Sequence, residues 1–219
     1  MLGLSVVMIS TGQMGVLKMT LKYLRKKVDL TGLNVHWLIG DDYVDHRKID
    51  NERCRAFIRA TELFEHCYFP GSNQGLGQMF NHLYEKVATP YTLHLEHDWK
   101  FIKPVRLKPL LEIMEEHEDI SCIRFNKKIT KALPLLFWLG ESEREKKIAG
   151  MTLTQTKAWT FNPTIYRTSH VRRVLPIDND SSERSFKAKM DATGYQCYSL
   201  GKPGETYVRH LRGISWGRY

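Results

Sequence analysis

The sequence predicts an α/β fold: one domain with a mainly parallel central sheet flanked by helices, and a less regular C-terminal region. Three observations predict it. Short apolar strands alternate with amphipathic helices as far as about Phe125, the order that parallel strands with right-handed crossovers require. Polar and acidic residues gather where strands end. With 219 residues, 42% of them hydrophobic and 26% charged, the chain can bury a full core, and no repeat, low-complexity linker or domain boundary interrupts it.

The elements follow in order. Leu4 to Ser10 reads as a buried strand, and Leu17, Leu21, Leu24 and Val28 share one helix face. Val35 to Ile39 is the next strand. Cys54, Phe57, Ile58 and Thr61 recur at helical spacing before a short strand, His66 to Phe69. A third helix follows Gly75 and Gly77 and carries Phe80, Leu83 and Val87. Tyr91 to Leu95 is then a central strand with an apolar Tyr91, Leu93 and Leu95 face. Leu107, Leu110, Leu111 and Met114 mark a fourth helix, and Ile120 to Phe125 a further strand. From about Asn126 the periodicity decays. The run Ala132 to Leu139 reads as core packing, and the charged run Glu141 to Lys147 as a mobile loop or short helix. A helix from Ser182 to Thr193, a strand from Gln196 to Leu200 and a Gly- and Arg-rich tail complete the chain.

Composition narrows the setting. The opening Met1 to Ile9 is apolar but has no basic leader and is too short to span a bilayer, so it reads as a first strand, and no other run approaches spanning length. Cys54, Cys67, Cys122 and Cys197 show no C-x-x-C spacing and read as reduced thiols in a cytoplasmic protein. The net charge of +9 favours anionic partners such as nucleotides, nucleic acid, phosphorylated lipids or an acidic membrane surface. The basic residues are scattered, and the charge does not choose among them.

The most informative stretch is Leu93-His94-Leu95-Glu96-His97-Asp98-Trp99. In an extended backbone Glu96 and Asp98 share a face and can serve one divalent cation, with His97 pointing away. Acids also close strands simply because the chain returns to water there. The buried strand behind them favours the ligand site, since open α/β sheets bind ligands at the carboxyl ends of their strands.

Other nucleotide and hydrolase motifs are missing. There is no G-x-x-x-x-G-K-[ST] loop and no G-x-S-x-G elbow, and Gly75-Leu76-Gly77 lacks the third glycine and the first-strand position of a dinucleotide fingerprint. Four strand ends instead present polar groups in sequence: Ser10-Thr11-Gly12, Gly40-Asp41-Asp42, Gly71 to Gly77, and Glu96-His97-Asp98.

In this order of motifs the first half of the chain resembles the family 2 glycosyltransferases and their relatives with the GT-A fold. Members typically carry Ser or Thr after the first strand, an acid pair, an Asn-x-Gly-x-x-x-x-x-Asn turn into a helix, here Asn73 to Asn81, and an Asp-x-Asp variant, here Glu96-His97-Asp98. The resemblance implies a single GT-A-like, Rossmann-like domain over 1–219, with a nucleotide-sugar-binding half at 1–100 and an acceptor-side half and tail at 101–219. It implies that Thr11 with Asp41 or Asp42 holds base and ribose, beside Asn73 and Gly75. It implies that Asp98 ligates Mn²⁺ or Mg²⁺, that Glu96 touches ribose or the metal's water, and that His210 completes the metal shell. Arg212 or Arg218 meets the diphosphate. Glu183 is the implied base toward the acceptor hydroxyl, although Asp180-Ser181-Ser182-Glu183 also reads as a capping box. Asp41 and Asp42 equally suit a turn and a helix cap.

The triplet departs from the common pattern in opening with Glu and in carrying His in the middle, and no Gln-x-x-Arg-Trp signature follows, which argues against processive polysaccharide synthesis. The reading is a metal-dependent transferase moving a sugar from a nucleoside diphosphate sugar to a hydroxyl of a glycan or lipid-linked glycan. The alternatives are a DNA-modifying sugar transferase acting on a hydroxylated base, a nucleotidyltransferase, and a noncatalytic nucleic-acid-binding module. The nucleotidyltransferase lacks its arginine-bearing loop after strand one, and the binding module leaves the ordered acids unexplained.

Overall fold

The computed structural model describes residues 1–127 and 145–211. Leu2–Ser10 (β1) is apolar on both faces and buried through its last seven residues, as a central strand must be. It pairs in parallel with Leu33–Asp41 (β3) on one side and Tyr91–Glu96 (β5) on the other, and His66–Tyr68 (β4) adds to β3 in the same direction. Beyond β5 come Thr164–Arg167 (β11), antiparallel, then Ile120–Arg124 (β8) and Gln196–Leu200 (β12), which are parallel to each other. Met151–Thr156 (β10) and Glu145–Ile148 (β9) close the far edge antiparallel, giving nine strands in the order β4-β3-β1-β5-β11-β8-β12-β10-β9.

Side-chain alternation along β1 and β5 divides the core in two. Leu4, Val6 and Met8 of β1 and Tyr91, Leu93 and Leu95 of β5 meet helices Met14–Lys27 (α1), Lys48–Ala60 (α2) and Leu107–Glu116 (α4) on one face. Val7 and Ile9 face the other way, toward Gly75–Lys86 (α3), Thr168–Arg173 (α5) and Ser182–Asp191 (α6). His94 also lies on that second face, ringed by Phe80, Tyr84, Phe161 and Tyr166, and burial pushes its imidazole down to about 3, so it is a neutral core residue. The result is a three-layer sandwich in which α1, α2 and α4 pack on one face of the sheet and α3, α5 and α6 on the other.

Four sequence expectations are corrected. Val28 leaves the helix, because it is extended and pairs with Val105 in a two-strand sheet of Val28–Asp29 (β2) and Val105–Arg106 (β7). The third helix begins on Gly75, with Gly77 inside it. Glu145, Lys146 and Lys147 are not loop or helix but β9, exposed and polar along a sheet edge, where charge discourages further pairing. The last helix stops at Asp191 rather than Thr193, where the Thr193 hydroxyl turns back to donate to Met190 O. The Ala132 to Leu139 run and Glu141 to Arg144 lie outside the described residues. The cysteines are free, and Cys122 and Cys197 sit side by side on β8 and β12 with Sγ atoms 3.0 Å apart. Among the described residues no helix is long and apolar enough to cross a membrane.

The α5–β12 junction supplies a pH test. His170 stacks on Tyr195 at 3.6 Å, and burial, then the charges of Arg167 and Arg173, push its pKa down to about 4 from 6.5. The folded protein keeps His170 neutral while the unfolded chain takes up a proton, so this contribution to stability is complete above about pH 6.5 and is lost as pH falls toward 4. His170→Phe keeps the stack and should flatten that part of the stability profile, measured as urea midpoints from pH 7 to pH 4; an unchanged slope would place the acid sensitivity elsewhere.

Candidate functional site

The carboxyl ends of β1, β3 and β5 lie on one edge of the sheet, and a cleft of about 950 Å³ opens there. From the first half of the chain it is lined by Ile9, Thr11, Asp42, Asn73, Gly75, Leu76, Glu96, His97 and Asp98, and from the second by residues Asn179 to Arg184 and by His210. Of the residues singled out in the sequence, Thr11, Asp42, Asn73, Gly75, Glu96, Asp98, Glu183 and His210 therefore meet in one place. Asp41 is not on that lining, and Arg212 and Arg218 lie outside the described residues.

The two acids at the end of β3 are both engaged by the protein. Asp41 is fully buried, and its Oδ1 accepts the Gly12 N–H at 2.9 Å, while Arg55 Nε lies 3.4 Å from Oδ2. Arg55 also donates to Asp41 O at 2.9 Å and to Pro70 O at 2.7 Å, tying the end of β3 to the chain leaving β4. Asp42 Oδ1 accepts from Tyr43 N at 2.9 Å and Gln74 N at 2.8 Å, and Oδ2 accepts from Gly75 N at 2.9 Å. Burial, chiefly, and the negative charge of Asp41 raise the Asp42 pKa against the lowering by these three N–H groups. The pair thus shapes the two loops that border the cleft: Asp41 the Thr11-Gly12 loop, Asp42 the turn into α3.

The Glu96 to Asp98 segment departs from its sequence reading. Strand β5 ends at Glu96, and His97 and Asp98 form a tight turn into Trp99–Phe101 (β6), so the acids are brought together by a turn and not by strand alternation. His97 is among the residues lining the cleft and is almost wholly buried. Its N–H donates to Ile9 O at 2.9 Å and its carbonyl accepts from the Thr20 hydroxyl, which fixes the turn against β1 and α1. Val208–His210 (β13) pairs antiparallel with β6, setting His210 opposite Trp99 and its Nε2 2.7 Å from Asp98 Oδ2.

Electrostatics mark this corner as short of positive charge. Glu96 is raised well above the usual carboxylate range, first by loss of hydration, then by the negative charges of Asp98 and Glu183, with Lys127 opposing. Asp98 is almost wholly buried, and its Oδ1 has no hydrogen-bond partner among the described residues. The Thr11 hydroxyl is likewise buried and unpartnered. Buried oxygens in native proteins are nearly always satisfied, so orphans on a cleft wall are places where a ligand completes the bonding. Among the described residues no three His, Cys, Asp or Glu side chains form a ready-made cation cage. The oxygen-rich pair Glu96 and Asp98, with one orphan oxygen, could hold a hard divalent cation if further oxygen ligands came from outside this pair.

Across the cleft Glu183 opens α6. The expected capping box is not formed: the N-cap is Ser181, without a side-chain cap bond, and Glu183 Oε1 instead accepts the Phe161 N–H at 3.0 Å. Glu183 is exposed and lines the cleft, close enough to Glu96 to raise its pKa. Sequence reasoning missed Arg184 and Asn179 on this wall. Arg184 follows Glu183 on the helix, and no spacing rule marks it; Asn179 stands between Asp178 and Asp180 with no motif around it.

No protein-family model matches the chain, and no curated protein matches it. Solved structures do. S. aureus TarS 1-349 in complex with UDP-GlcNAc superposes with a TM-score of 0.67 at 14% identity, over 100% of this chain and 62% of that one. The mannosyltransferase PcManGT from Pyrobaculum calidifontis, in complex with GDP-Man and Mn²⁺, gives 0.64 at 10% identity over 96% and 57%. GalNAc-T7 with UDP, GalNAc and Mn²⁺ gives 0.65 at 12% over 95% and 44%. The chain spans about three fifths or less of the length of these proteins. At such identities the likeness is one of fold, and the fold of this chain is that of the GT-A glycosyltransferases.

Proposed function

We propose that the chain is a metal-dependent glycosyltransferase that moves one sugar from a nucleoside diphosphate sugar to a hydroxyl acceptor, a glycan or lipid-linked glycan. The observation that carries this reading is a cleft in which the strand-end groups of the first half face Glu183 of the second, with Thr11 Oγ1 and Asp98 Oδ1, on two residues of its lining, buried and unpartnered among the described residues. Residues 1–100 carry the donor side and residues 101–219 the acceptor side. The fold's neighbours hold UDP-GlcNAc in TarS and GDP-Man with Mn²⁺ in PcManGT, which supports the donor class and Mn²⁺, with Mg²⁺ as the alternative ion.

The roles follow from the chemistry of the side chains. Thr11 Oγ1 and the loop held by Asp41 receive the nucleoside, and Asn73 and Gly75 border it on the turn that Asp42 fixes. Glu96 and Asp98 would hold the cation, with His210 keeping Asp98 oriented through its Oδ2. A divalent cation held there would supply positive charge to offset that of a departing diphosphate. Arg184, on the same cleft, could meet phosphate oxygens, as could Arg212 or Arg218, which lie outside the described residues. Glu183 takes the proton from the acceptor hydroxyl. Asp42, Glu96, Asp98, Asp180 and Glu183 make the described lining acidic, which disfavours a nucleic-acid strand as acceptor and favours a neutral sugar hydroxyl. The four free thiols suit a cytoplasmic setting.

A panel of nucleotide sugars with Mn²⁺, assayed for release of nucleoside diphosphate with and without glycan acceptors, tests this reading. At least one donor should turn over, chelation should abolish turnover, and Asp98→Asn should do the same with its circular dichroism unchanged; an inert panel or a fully active Asp98→Asn contradicts it. Glu183→Gln should lower transfer by roughly 10²–10⁴. Its Oε1 can still accept the Phe161 N–H, so stability should hold, and near-normal transfer would exclude Glu183 as the base.

A further inference from the structure

We infer that Asn81 and Asn179 form a two-point clamp that sets the position of Glu183 over the cleft, and that Gly75 and Gly77 serve to let this clamp close. This deepens the proposed function and rests on its assignment of Glu183. The segment from Ile177 to Ser182 carries the chain from α5 into α6, and it lies against the N-terminal turns of α3. Asn81 holds its start with both ends of one amide: Nδ2 donates to Ile177 O at 3.0 Å and Oδ1 accepts from Ile177 N at 2.9 Å. Asn179 reaches back in the same way, donating from Nδ2 to Gln74 O at 2.8 Å and accepting from Gly77 N at 3.1 Å.

These four bonds bridge about a hundred residues of sequence and join the donor-side helix to the acceptor-side loop. Beyond Asn179 the loop is locked onto α6 itself. Ser182 Oγ donates to Asn179 O at 2.9 Å, and Asp178 N donates to Ser185 Oγ at 3.2 Å. Glu183 follows Ser182 directly, so its height over Glu96 and Asp98 is inherited from the clamp.

The glycines are explained by the approach. A Cβ on Gly77 would lie 2.6 Å from Asp178 O and 2.9 Å from Asn179 Cα, both backbone atoms that cannot turn aside. A Cβ on Gly75 would lie 2.4 Å from both side-chain amide atoms of Asn179. The N–H of Gly75 is taken by Asp42 and that of Gly77 by Asn179, so these first-turn amides of α3 already have partners and are not free to cradle a phosphate. The Asn73 to Asn81 motif therefore works as a joint: Asp42 fixes its entry, Asn179 sits on its glycines, and Asn81 grips Ile177.

Gly77→Ala is the sharpest probe, because Ala is the better helix former and Gly77 has an ordinary helical backbone, so the added methyl acts mainly by pushing Asp178 and Asn179 away. Asn179→Ala and Asn81→Asp, which can accept from Ile177 N but not donate to Ile177 O, provide the same test should Gly77→Ala fail to fold. Two readouts are needed. One is hydrogen-exchange protection of the Phe161 amide, whose partner is Glu183 Oε1. The other is steady-state transfer from UDP-GlcNAc and GDP-mannose, alongside the affinities for UDP and GDP with Mn²⁺.

In these variants Phe161 protection should fall at least tenfold relative to neighbouring strand amides. The kcat of transfer should drop by roughly 10²-fold, the loss expected from a small misplacement of a reacting group, with nucleotide affinity unchanged within about twofold in Gly77→Ala and Asn81→Asp, whose positions are not on the cleft lining. A parallel loss of nucleotide affinity and kcat would overturn the clamp as a positioning device, and so would an unaltered Phe161 amide in all variants that fold. A lost Phe161 protection with undiminished transfer upholds the clamp and overturns Glu183 as the base.

Discussion

Burial of β1 and β5 on both faces is the constraint from which the site follows. Each strand is sealed between α1, α2 and α4 on one side and α3, α5 and α6 on the other, so neither has room for a charged side chain along its length. Because β3, β1 and β5 run parallel, all three strands end at the same edge of the sheet. Polar groups excluded from the sheet are thereby concentrated in one place, where Ser10, Asp41 and Glu96 are the last residues of their strands. A parallel sheet with covered faces makes a polar edge as a matter of geometry, and this sequence fills it with carboxylates.

Crowding acids in a partly dry cleft opposes folding unless each is answered. Asp41 is answered by Arg55 and the Gly12 amide, Asp42 by three backbone N–H groups, and one oxygen of Asp98 by His210. Glu96 is left with a raised pKa and Asp98 with an orphan oxygen. The acids least fully answered by hydrogen bonds of the kind that hold Asp41 and Asp42 are thus those of the Glu96 and Asp98 corner, facing Glu183 on the opposite wall. This corner is where the proposed cation and anionic donor would sit together, and the net positive charge of the chain would favour the approach of such a donor.

The alternation of strands and helices was legible because long elements such as β1 and α1 carry clear periodicity. The strand-end motifs were legible because their order is itself a signal. What escaped was non-local or short. Strand β11 has four residues, is buried through Thr164, Ile165 and Tyr166, and so shows no polar alternation to find. The turn at His97 and Asp98 depends on Ile9, Thr20 and the β6–β13 pairing, none of which is adjacent in sequence. Gly75 and Gly77 were read as a turn, and the reason for them lies a hundred residues away at Asn179. Asp41 and Asp42 looked alike in sequence, yet only Asp42 reaches the cleft.

The most direct test is a crystal structure of the protein grown with Mn²⁺ and UDP or GDP, with data collected at the manganese absorption edge. An anomalous peak bound by Glu96 and Asp98, with the nucleoside lying toward Thr11, is the predicted result. Manganese or nucleotide bound away from these residues, with this corner empty, would contradict it.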